Sequence, residues 1–449
     1  NRVDLMVHYV ACLKAGLVIT PLNYRYQPPE MDHALEVSGA SLLLAHIERK
    51  EDVASTQMAA LLPLGVIYYG GDENNPNSFE SLLVPKSGVG KLDPPEPGAI
   101  ACIFFTSGST GKPKGVTHSH ETLGWMLALA NAGFEISPED VLLPASSISH
   151  MGGFASSLCG LMAGVPVGVT GSFEGEELLT LLRELRPTAW WMLPAAMHSL
   201  VHHGGATRDD FSTVRLCVVG GDKVPLSLEK EFQEISGIQI DETYGMTEIG
   251  YTTTNPPSGA NKPGSIGRLI AGYEMSLRDD AGNEVPVGEQ GRLWIKSPAT
   301  MVGYWNRPDA TQETIVDGWL DTGDVMRVDE DGYLWFCGRK KQIIIHDGSN
   351  ICPQEVEEAL LEHPAVESAG VVGIHDLIHG ENVRAYITVQ PNATPSIPEL
   401  IQHARERIGY KAPDEIIILE EMPLNPAGKV DRVSLKRTAE QHQLSEEIA

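Results

Sequence analysis

The sequence predicts an α/β fold in three parts: a doubly wound α/β core, a β subdomain and a smaller α+β unit near the C-terminal end. Apolar strand-like runs alternate with helical segments up to about residue 262. Short Gly-rich strands with Asp-Gly and Gly-Asn turns follow from about 264 to 338. From about residue 342, helices and strands alternate again. The length of 449 residues also exceeds what one hydrophobic core supports.

The composition is that of a globular protein. The chain is 42% hydrophobic and 21% charged, which is typical of globular domains. The net charge of −27 provides no general positive field for phosphates, so a nucleic-acid partner is not expected. An anionic substrate would instead need local basic groups.

Cysteine usage and the apolar segments predict a cytoplasmic protein. The six cysteines are scattered without a CxxC pair, which favours packing roles in a reducing compartment. Residues 141–173 carry no Asp, Glu, Lys or Arg, but Pro144 and Pro166 interrupt them, so no integral membrane span is expected. His118 and His120 lack companion ligands at metal spacing, which disfavours a metal site there. Both a monomer and a homo-oligomer remain open.

The order of elements follows from hydrophobic periodicity and from the positions of Gly and Pro. Helices are expected at 3–14, 29–36, 121–132, 153–163, 174–185, 194–203, 225–235, 353–362 and 397–408. Strands are expected at 18–22, 41–45, 66–69, 99–105, 141–144, 165–170, 189–193, 214–219, 238–241, 342–345, 366–373, 384–390 and 415–419. Hairpin turns are predicted at 278–283 and 329–332, and a linker at 86–97.

The stretch from Thr106 to Gly115, Thr-Ser-Gly-Ser-Thr-Gly-Lys-Pro-Lys-Gly, predicts a phosphate-binding loop. It follows the apolar run 99–105, which we interpret as a buried parallel strand. Its glycines allow close approach of the backbone, and its hydroxyls, N–H groups and lysines suit anionic oxygens. The spacing differs from Walker A, which has four residues between its glycines and a Ser or Thr after its lysine. An ordinary flexible loop is the alternative.

Four further clusters carry side chains suited to nucleotide chemistry. Tyr244-Gly-Met-Thr-Glu248 follows an expected strand at its carboxyl end, where open α/β sheets bind ligands. Trp319-Leu-Asp-Thr-Gly-Asp324 would place two carboxylates in a turn. Gly338-Arg-Lys-Lys341 is a basic segment, and Lys429 lies in a Gly/Pro turn. Taken singly, these clusters are also compatible with a surface turn, a hairpin turn, a solvated linker and a surface lysine.

In this order, the phosphate loop, YGMTE, DTGD, GRKK and PAGK resemble the signature of the adenylate-forming superfamily, which covers acyl-CoA synthetases, adenylation domains and luciferases. The resemblance runs over essentially the whole chain and begins inside the family's N-terminal domain, so we expect an earlier part of that domain to be missing. It implies a large N-terminal domain of doubly wound mixed sheets at 1–338, with its β subdomain at about 264–338. A hinge at 339–341 and a small mobile α+β domain at 342–449 would follow.

The resemblance also implies two half-reactions. A carboxylate attacks the α-phosphate of ATP to give an acyl-adenylate and pyrophosphate, and a thiol then attacks the acyl carbon and releases AMP. Lys429 would bridge the carboxylate and the α-phosphate, Thr247 would contact the α-phosphate, and Glu248 would bind Mg²⁺, with Thr110 as a further candidate ligand. The other implied ATP contacts are Thr106, Ser107, Gly108, Ser109, Thr110, Gly111, Lys112, Lys114, Gly221, Tyr244, Gly245, Asp324 and Arg339. Asp222 departs from the family, whose acyl-CoA branch more often has a small residue after these glycines, and it is expected to face the nucleotide.

On the acyl side, the resemblance identifies His150 as the family's gate beside the acyl carbon, although a buried, satisfied histidine is the alternative. The acid pocket would lie near His150, Gly152, Trp191 and Gly245. The absence of an Asp soon after the strand at 189–193 favours a carboxylic acid without an amino group.

The second half-reaction would use Lys341 as the hinge and Gly348 in the thiol channel. The family usually has two glycines in this channel loop, and Asp347 replaces the first of them. An added carboxylate could narrow the channel or repel coenzyme A, so an acyl-carrier protein is the alternative acceptor.

The expected function is an ATP- and Mg²⁺-dependent acid–thiol ligase, an acyl-CoA synthetase for a fatty or aryl acid. Its partners would be that acid, ATP and coenzyme A. One alternative is a freestanding adenylation enzyme that loads an acyl-carrier protein. Alternatives of other classes are a P-loop kinase or NTPase, which would release ADP, and a non-enzymatic binding relative.

Overall fold

The computed structural model describes residues 1–71, 78–83, 92–106, 113–173, 175–203, 205–255, 257–346, 349–376, 379–425 and 428–439. Its first helices are α1 (Val3–Lys14), α2 (Pro28–Ser38), α3 (Lys50–Ala54), α4 (Phe79–Leu82), α5 (His120–Gly133), α6 (Met151–Ala163), α7 (Gly175–Leu185), α8 (Pro194–His203) and α9 (Leu226–Ser236). The strands of this part are β1 (Leu43–His46), β2 (Val66–Tyr69), β3 (Ile100–Thr106), β4 (Lys114–Ser119), β5 (Leu142–Ala145), β6 (Ala189–Met192), β7 (Leu216–Gly220) and β8 (Asp241–Thr243).

A four-stranded parallel sheet in the order β5-β6-β7-β8 forms the centre of this part. Side chains alternate between its faces. Trp191 and Val218 pack in one core with residues of α5 and α6, whereas Trp190 and Val219 pack in another with residues of α7, α8 and α9. Helices therefore cover both faces, which explains the continuous apolar runs of β6 and β7. The prediction of a doubly wound core is confirmed.

The prediction of a parallel strand at 99–105 is wrong. β3 pairs antiparallel with β4, which the sequence did not predict, in a register from Ile100 opposite Ser119 to Thr106 opposite Lys114. Parallel neighbours need a crossover of a dozen or more residues, and the segment between these strands is shorter. The phosphate loop therefore joins two strands of a hairpin, and α5 begins only after β4. Residues 107–112 lie outside the described residues.

Two other predicted strands are reduced to single bridges. The segment 18–22 contributes only the bridge of Ile19 with Cys102, and the segment 165–170 only that of Val167 with Leu142. Each segment contains a proline, which lacks the N–H that a regular strand ladder needs. The strand predicted at 238–241 lies slightly later, as β8.

A β subdomain follows, as predicted. Its elements are β9 (Gly245–Met246), β10 (Gly250–Tyr251), β11 (Thr253–Thr254), β12 (Arg268–Leu269), β13 (Glu274–Arg278), β14 (Gln290–Lys296), β15 (Gly303–Tyr304), α10 (Pro308–Thr314), β16 (Ile315–Val316), β17 (Trp319–Val328) and β18 (Leu334–Arg339). The prediction of a turn from Trp319 to Asp324 is wrong, because this segment is the first half of β17. Leu320 lies opposite Ile295 of β14, so pairing within the sheet overrides the local turn signal of Asp-Thr-Gly.

The C-terminal unit has its own hydrophobic core. Its elements are β19 (Ile344–His346), β20 (Ser349–Ile351), α11 (Pro353–Leu361), β21 (Val366–Asp376), β22 (Gly380–Val389), α12 (Ile397–Ile408) and β23 (Glu415–Ile418). Val356 and Leu360 of α11, with Leu400 of α12, pack against the sheet formed by these strands. The predicted α+β character is confirmed. Arg339, placed in the predicted hinge, is the last residue of β18, and Lys341 is exposed just after it.

Local sequence accounts for the helix ends. α5 begins with a capping box in which the Ser119 side chain accepts the Thr122 N–H, and Ser396 and Glu399 form the same arrangement in α12. The predicted helices agree closely with these bounds. Among the helices that the structure describes, none combines the length and the apolar character needed to cross a membrane.

Candidate active site

The predicted nucleoside contacts meet where β8 ends beside β17 and β18. The Tyr244 hydroxyl donates a hydrogen bond of 2.5 Å to Asp324 Oδ2, and the Tyr244 ring stacks on Phe336 with centroids 6.3 Å apart. Asp324 lies opposite Arg339 in the register of β17 and β18, with Arg339 Nε 3.3 Å from Oδ1. Strand register and the Tyr244 hydrogen bond therefore hold the Tyr244 ring, the Asp324 carboxylate and the Arg339 guanidinium together.

One carboxylate oxygen of Asp324 is available to accept hydrogen bonds from a ligand. The residue is 3% exposed, and its Oδ1 makes an ion pair with Arg339 Nε at 3.3 Å but accepts no hydrogen bond from the described residues. Burial raises the pKa of Asp324, while the Arg339 charge and the Tyr244 hydrogen bond oppose this rise. A buried carboxylate oxygen without a donor is costly unless a ligand supplies one, and a pair of ribose hydroxyls would do so.

Glu248 lies in a second cluster, with Tyr304 and Lys114. The Tyr304 hydroxyl donates to Glu248 Oε1 at 2.9 Å, and Lys114 Nζ lies 3.9 Å from the centroid of the Tyr304 ring. Burial raises the pKa of Glu248, and the Tyr304 hydrogen bond opposes it. β15 pairs with β4, so Tyr304 of β15 bridges the predicted phosphate loop and the predicted magnesium ligand.

His118 anchors the neighbouring Thr247. Its Nε2 lies 2.8 Å from the Thr247 carbonyl oxygen, and its Nδ1 lies 3.2 Å from the Thr122 hydroxyl. Burial lowers the pKa of His118 to about 4, so the ring is neutral near pH 7. A carbonyl accepts only, so Nε2 carries the proton. His118 fixes the backbone beside two predicted catalytic residues.

Lys429 reaches this site on a hairpin of the C-terminal unit. The Asn425 N–H donates to the Lys429 carbonyl at 2.7 Å, and the Lys429 N–H donates to Asn425 Oδ1 at 3.2 Å. Gly428 adopts a φ of +80°, which this tight turn requires. Burial lowers the pKa of Lys429, while the nearby Asp222 and Asp324 carboxylates raise it. The structure thus brings Lys429 together with predicted nucleotide contacts more than a hundred residues earlier in the chain.

His150 lies near the Lys429 hairpin. It precedes α6 as the N-cap residue, and the Asn23 side-chain amide lies 3.2 Å from its Nε2. Burial, followed by the Lys429 and Arg25 charges, lowers the pKa of His150. A Cβ on Gly428 would lie 3.4 Å from Arg25 Nη1, so the hairpin packs against the segment that carries Asn23.

Three aromatic rings lie close together beside Gly152. The Tyr251 hydroxyl donates to the Gly152 carbonyl at 2.9 Å. The Phe134 ring makes edge contacts with Tyr251 and with Trp191, at centroid distances of 5.2 and 5.4 Å. At Gly245, a Cβ would lie 2.5 Å from the Gly250 carbonyl oxygen, so only glycine fits. The four residues predicted for this region, His150, Gly152, Trp191 and Gly245, line adjoining parts of one region.

The remaining predicted residues divide into two sets. Thr106 ends β3 and Lys114 begins β4, while Gly221, at a φ of +86°, and the exposed Asp222 follow β7. The following lie outside the described residues: Ser107, Gly108, Ser109, Thr110, Gly111, Lys112, Asp347 and Gly348.

Sequence reasoning missed Asn23, His118, Tyr304 and Phe336 as supports of the site. The His-x-His spacing of His118 and His120 raises only the question of a metal ligand. Tyr304 follows Gly303, which has a φ of +153°. The glycine is the only sign in the sequence of this unusual backbone conformation. None of these residues belongs to a motif that points to its partner, and each acts through a contact with a distant part of the chain.

A magnesium ion is compatible with Glu248. Among the described residues, no group of three or more His, Cys, Asp and Glu side chains is placed to hold a metal. Mg²⁺ commonly binds through one or two carboxylates, substrate phosphates and water rather than in an all-protein cage. A single buried carboxylate beside the phosphate loop fits that mode.

Known proteins resemble this chain over nearly its whole length. The model of the AMP-binding enzyme family matches residues 1–305, and that of the AMP-binding enzyme C-terminal domain matches residues 355–429. A fatty acid–[acyl-carrier-protein] ligase of Streptomyces coeruleorubidus is 32% identical over 439 residues, 95% of this chain and 82% of that protein. A feruloyl-CoA synthase of Amycolatopsis sp is 32% identical over 433 residues, 95% and 85% of the two chains. The solved structure of ATP-bound MatB from Rhodopseudomonas palustris superposes with a TM-score of 0.89 at 27% identity, covering 98% of this chain and 87% of that one.

Proposed function

The chain belongs to the AMP-binding enzymes of the adenylate-forming superfamily and is an AMP-forming acid–thiol ligase, and we propose that it activates a fatty or aryl carboxylic acid with ATP and transfers the acyl group to coenzyme A. The observation that carries this proposal is the position of Lys429. The Lys429 ammonium group lies near the charged side chains of Asp222, Asp324 and Arg339, although Lys429 belongs to a different unit of the chain. That position suits a group that joins two bound anions.

Binding of the nucleotide is assigned to the N-terminal part. Tyr244 would flank the adenine, and Asp324 would accept the ribose hydroxyls with Arg339 beside it. Thr106 and Lys114 would contact the β- and γ-phosphates at the two ends of the phosphate loop. The loop residues between them have the same proposed role on the sequence resemblance alone.

The chemical step is electrostatic. The acid carboxylate and the α-phosphate are both anions and repel one another. Lys429 would reduce this repulsion where charge grows in the transition state, and the Thr247 contact would orient the phosphate. The nucleophile is already ionised, so the step needs no general base. The site therefore has to position the carboxylate and the α-phosphate and to neutralise their charge. It does not have to transfer a proton.

Magnesium is proposed as a cofactor held by Glu248, with Thr110 as a second candidate ligand. When bound, the ion would neutralise phosphate charge. Tyr304 would orient the carboxylate and Lys114 would add positive charge beside it. The Tyr304 hydrogen bond to Glu248 and the contact of Lys114 with the Tyr304 ring involve only side chains of this protein.

The acid class rests on the surroundings of Gly152. Phe134, Trp191 and Tyr251 pack against one another there, and the Tyr251 hydroxyl already donates to the Gly152 carbonyl. Trp191 Nε1 is the one buried donor of these side chains without an acceptor among the described residues. These mainly aromatic surroundings favour an apolar acid. His150 would act as the gate beside the acyl carbon, its pKa lowered by burial and by the Lys429 charge.

Thioester formation would follow rotation of the C-terminal unit about Lys341. The rotation would remove Lys429 and bring the loop with Gly348 to the acyl-adenylate. An acyl-carrier protein is a second candidate acceptor, favoured by Asp347 in place of the family's usual glycine in that loop. The Streptomyces coeruleorubidus relative is named for such an acceptor.

The test is pyrophosphate release across a panel of acids that includes dodecanoate, benzoate and ferulate. Each acid is assayed with coenzyme A, with a phosphopantetheinylated acyl-carrier protein, or with neither. We expect pyrophosphate with one acid class and AMP release that coenzyme A accelerates. If acyl-adenylate accumulates and only the carrier protein releases AMP, the acceptor assignment is wrong. Formation of ADP would contradict the whole mechanism.

A further inference from the structure

One ion pair joins the loop after β7 to helix α11 of the C-terminal unit. Lys223 Nζ lies 2.7 Å from Glu358 Oε1, and the two side chains are only 20% and 23% exposed. Shielded pairs of this kind lose more when one partner is removed than surface pairs do. Lys223 and Glu358 therefore form a specific contact between the two parts of the molecule.

The same helix holds the chain segment that carries Lys429. Glu357, next to Glu358, receives two hydrogen bonds from Arg432, from Nη2 at 2.6 Å and from Nε at 3.1 Å. Its Oε1 also accepts the Val371 N–H at 2.7 Å. Arg432 lies three residues after Lys429, so this fork ties the Lys429 hairpin to α11.

Charges on the N-terminal side complement this arrangement. Burial lowers the pKa of Lys223, but the Glu358 charge and hydrogen bond outweigh it and keep the lysine protonated; Glu242 acts in the same direction. Asp222, next to Lys223, raises the pKa of Lys429. Asp222 and Lys223 of the N-terminal part therefore lie close to Lys429 and Glu358 of the C-terminal unit, respectively.

We propose that Lys223 and Glu358 are positioning residues that dock the C-terminal unit for adenylation, and that Glu357 and Arg432 transmit this docking to Lys429. The inference rests on the proposed function, in which the C-terminal unit changes position between the half-reactions. The ion pair belongs to the position in which Lys429 is in the active site. Breaking it disfavours adenylation and leaves the chemistry of thioester formation intact.

The test separates the two half-reactions in Lys223→Glu, Glu358→Lys and the doubly exchanged variant. Adenylation is followed by ATP–pyrophosphate exchange with the most active acid of the panel, and thioester formation by adding the synthetic acyl-adenylate of that acid and coenzyme A. Each single reversal is expected to slow exchange by roughly 10–100-fold, because a small displacement of a catalytic group has effects of that size. Thioester formation stays within about threefold, and the double exchange recovers most of the lost adenylation. Lys411→Glu is the matched control, because Lys411 pairs with Glu355 of the same helix but within the C-terminal unit.

The proposal is overturned if the single reversals slow both half-reactions equally, if they slow neither, or if the double exchange fails to restore adenylation.

A spin-label distance between cysteines introduced at the exposed positions Gln233 and Gln402 gives a readout that needs no acid. With ATP present, Lys223→Glu should broaden the distance distribution and the double exchange should narrow it again. An unchanged distribution in Lys223→Glu also overturns the docking role. Failure of the proposed function has a different signature, since the unsubstituted protein would then show no ATP–pyrophosphate exchange with any acid of the panel.

Discussion

The two sides of the active site are built in different ways. On the nucleoside side, Tyr244, Asp324 and Arg339 are held by hydrogen bonds and strand register within one part of the molecule. On the other side, Lys429 arrives on a hairpin, and Lys223 and Glu358 join the two parts through an ion pair. Strand pairing gives fixed geometry, whereas an ion pair between two units can form and break without unfolding either.

This difference matches what the two half-reactions demand. In the proposed mechanism, both half-reactions act on a substrate that carries the same adenosine group, so a rigid nucleoside site serves both. Only the first step requires a cation between the carboxylate and the α-phosphate. If the C-terminal unit moves as proposed, the chain places its permanent contacts in sheets and its temporary one on a separate unit. Variants on the two sides should therefore affect different kinetic constants.

The largest effect is expected for Lys429→Ala. The substitution removes the cation that offsets repulsion between two anions, and adenylation should fall by roughly 10²–10³-fold, as when a preorganised donor is removed. Thioester formation from supplied acyl-adenylate should persist, because that step does not use Lys429. ATP–pyrophosphate exchange measures the first effect and coenzyme A consumption the second. Lys436→Ala, a half-exposed lysine of the same unit, is the control, and equal losses in both half-reactions would contradict the division.

A smaller effect, on binding, is expected for Asp324→Ala. Loss of the buried acceptor should raise KM for ATP by about 10–100-fold, since hydrogen bonds to a charged group contribute about 1.5–3 kcal/mol each. The measurement is the ATP dependence of pyrophosphate exchange. Asp321→Ala is the matched control, because Asp321 lies on the same strand but pairs with Arg292. An unchanged KM for ATP in Asp324→Ala would remove Asp324 from the ribose site.

Tyr304→Phe should change the pH profile more than the maximal rate. Burial already raises the pKa of Glu248, and loss of the Tyr304 hydrogen bond raises it further. A carboxylate with a higher pKa takes up its proton at higher pH, so the acid side of the adenylation profile should move upward by about one pH unit. Well above that pKa, the rate should fall less than about tenfold. Tyr273→Phe, which loses only a bond to the Ile249 carbonyl, should leave the profile in place.

The local features of this molecule were predictable and the distant ones were not. The periodicity of α1 and the capping Ser119 indicate helices directly from neighbouring residues. The order of motifs predicted which side chains the structure would assemble, and Tyr244, Asp324 and Lys429 do lie together. Their roles in catalysis stay predictions. Local signals suffice where the interactions that form an element come from the element itself.

Errors arose where a distant partner decides the outcome. The residues between Asp321 and Asp324 favour a turn, but this segment is a strand because it pairs with β14 and β18. The sequence does not predict β4, because this polar segment becomes a strand only by pairing with β3 in a hairpin. The Asn23–His150 contact spans 127 residues, and no local pattern in either segment encodes it.

Asp241→Asn should have the smallest effect on catalysis and a clear one on stability. Asp241 lies in β8, where burial raises its pKa from 3.8 to about 7, against the Cys217 N–H and the Arg215 charge. The folded protein therefore holds a proton that the unfolded chain releases, so the free energy of unfolding falls as pH rises from about 4 to about 7 and then levels. The asparagine variant lacks this loss and should be more stable above pH 7, by on the order of 2–4 kcal/mol. Urea unfolding at several pH values measures the effect, and adenylation should remain within about twofold. A stability difference that does not change with pH would contradict the raised pKa of Asp241. A selective loss of adenylation would show that the parallel sheet and the docking of Lys429 are coupled.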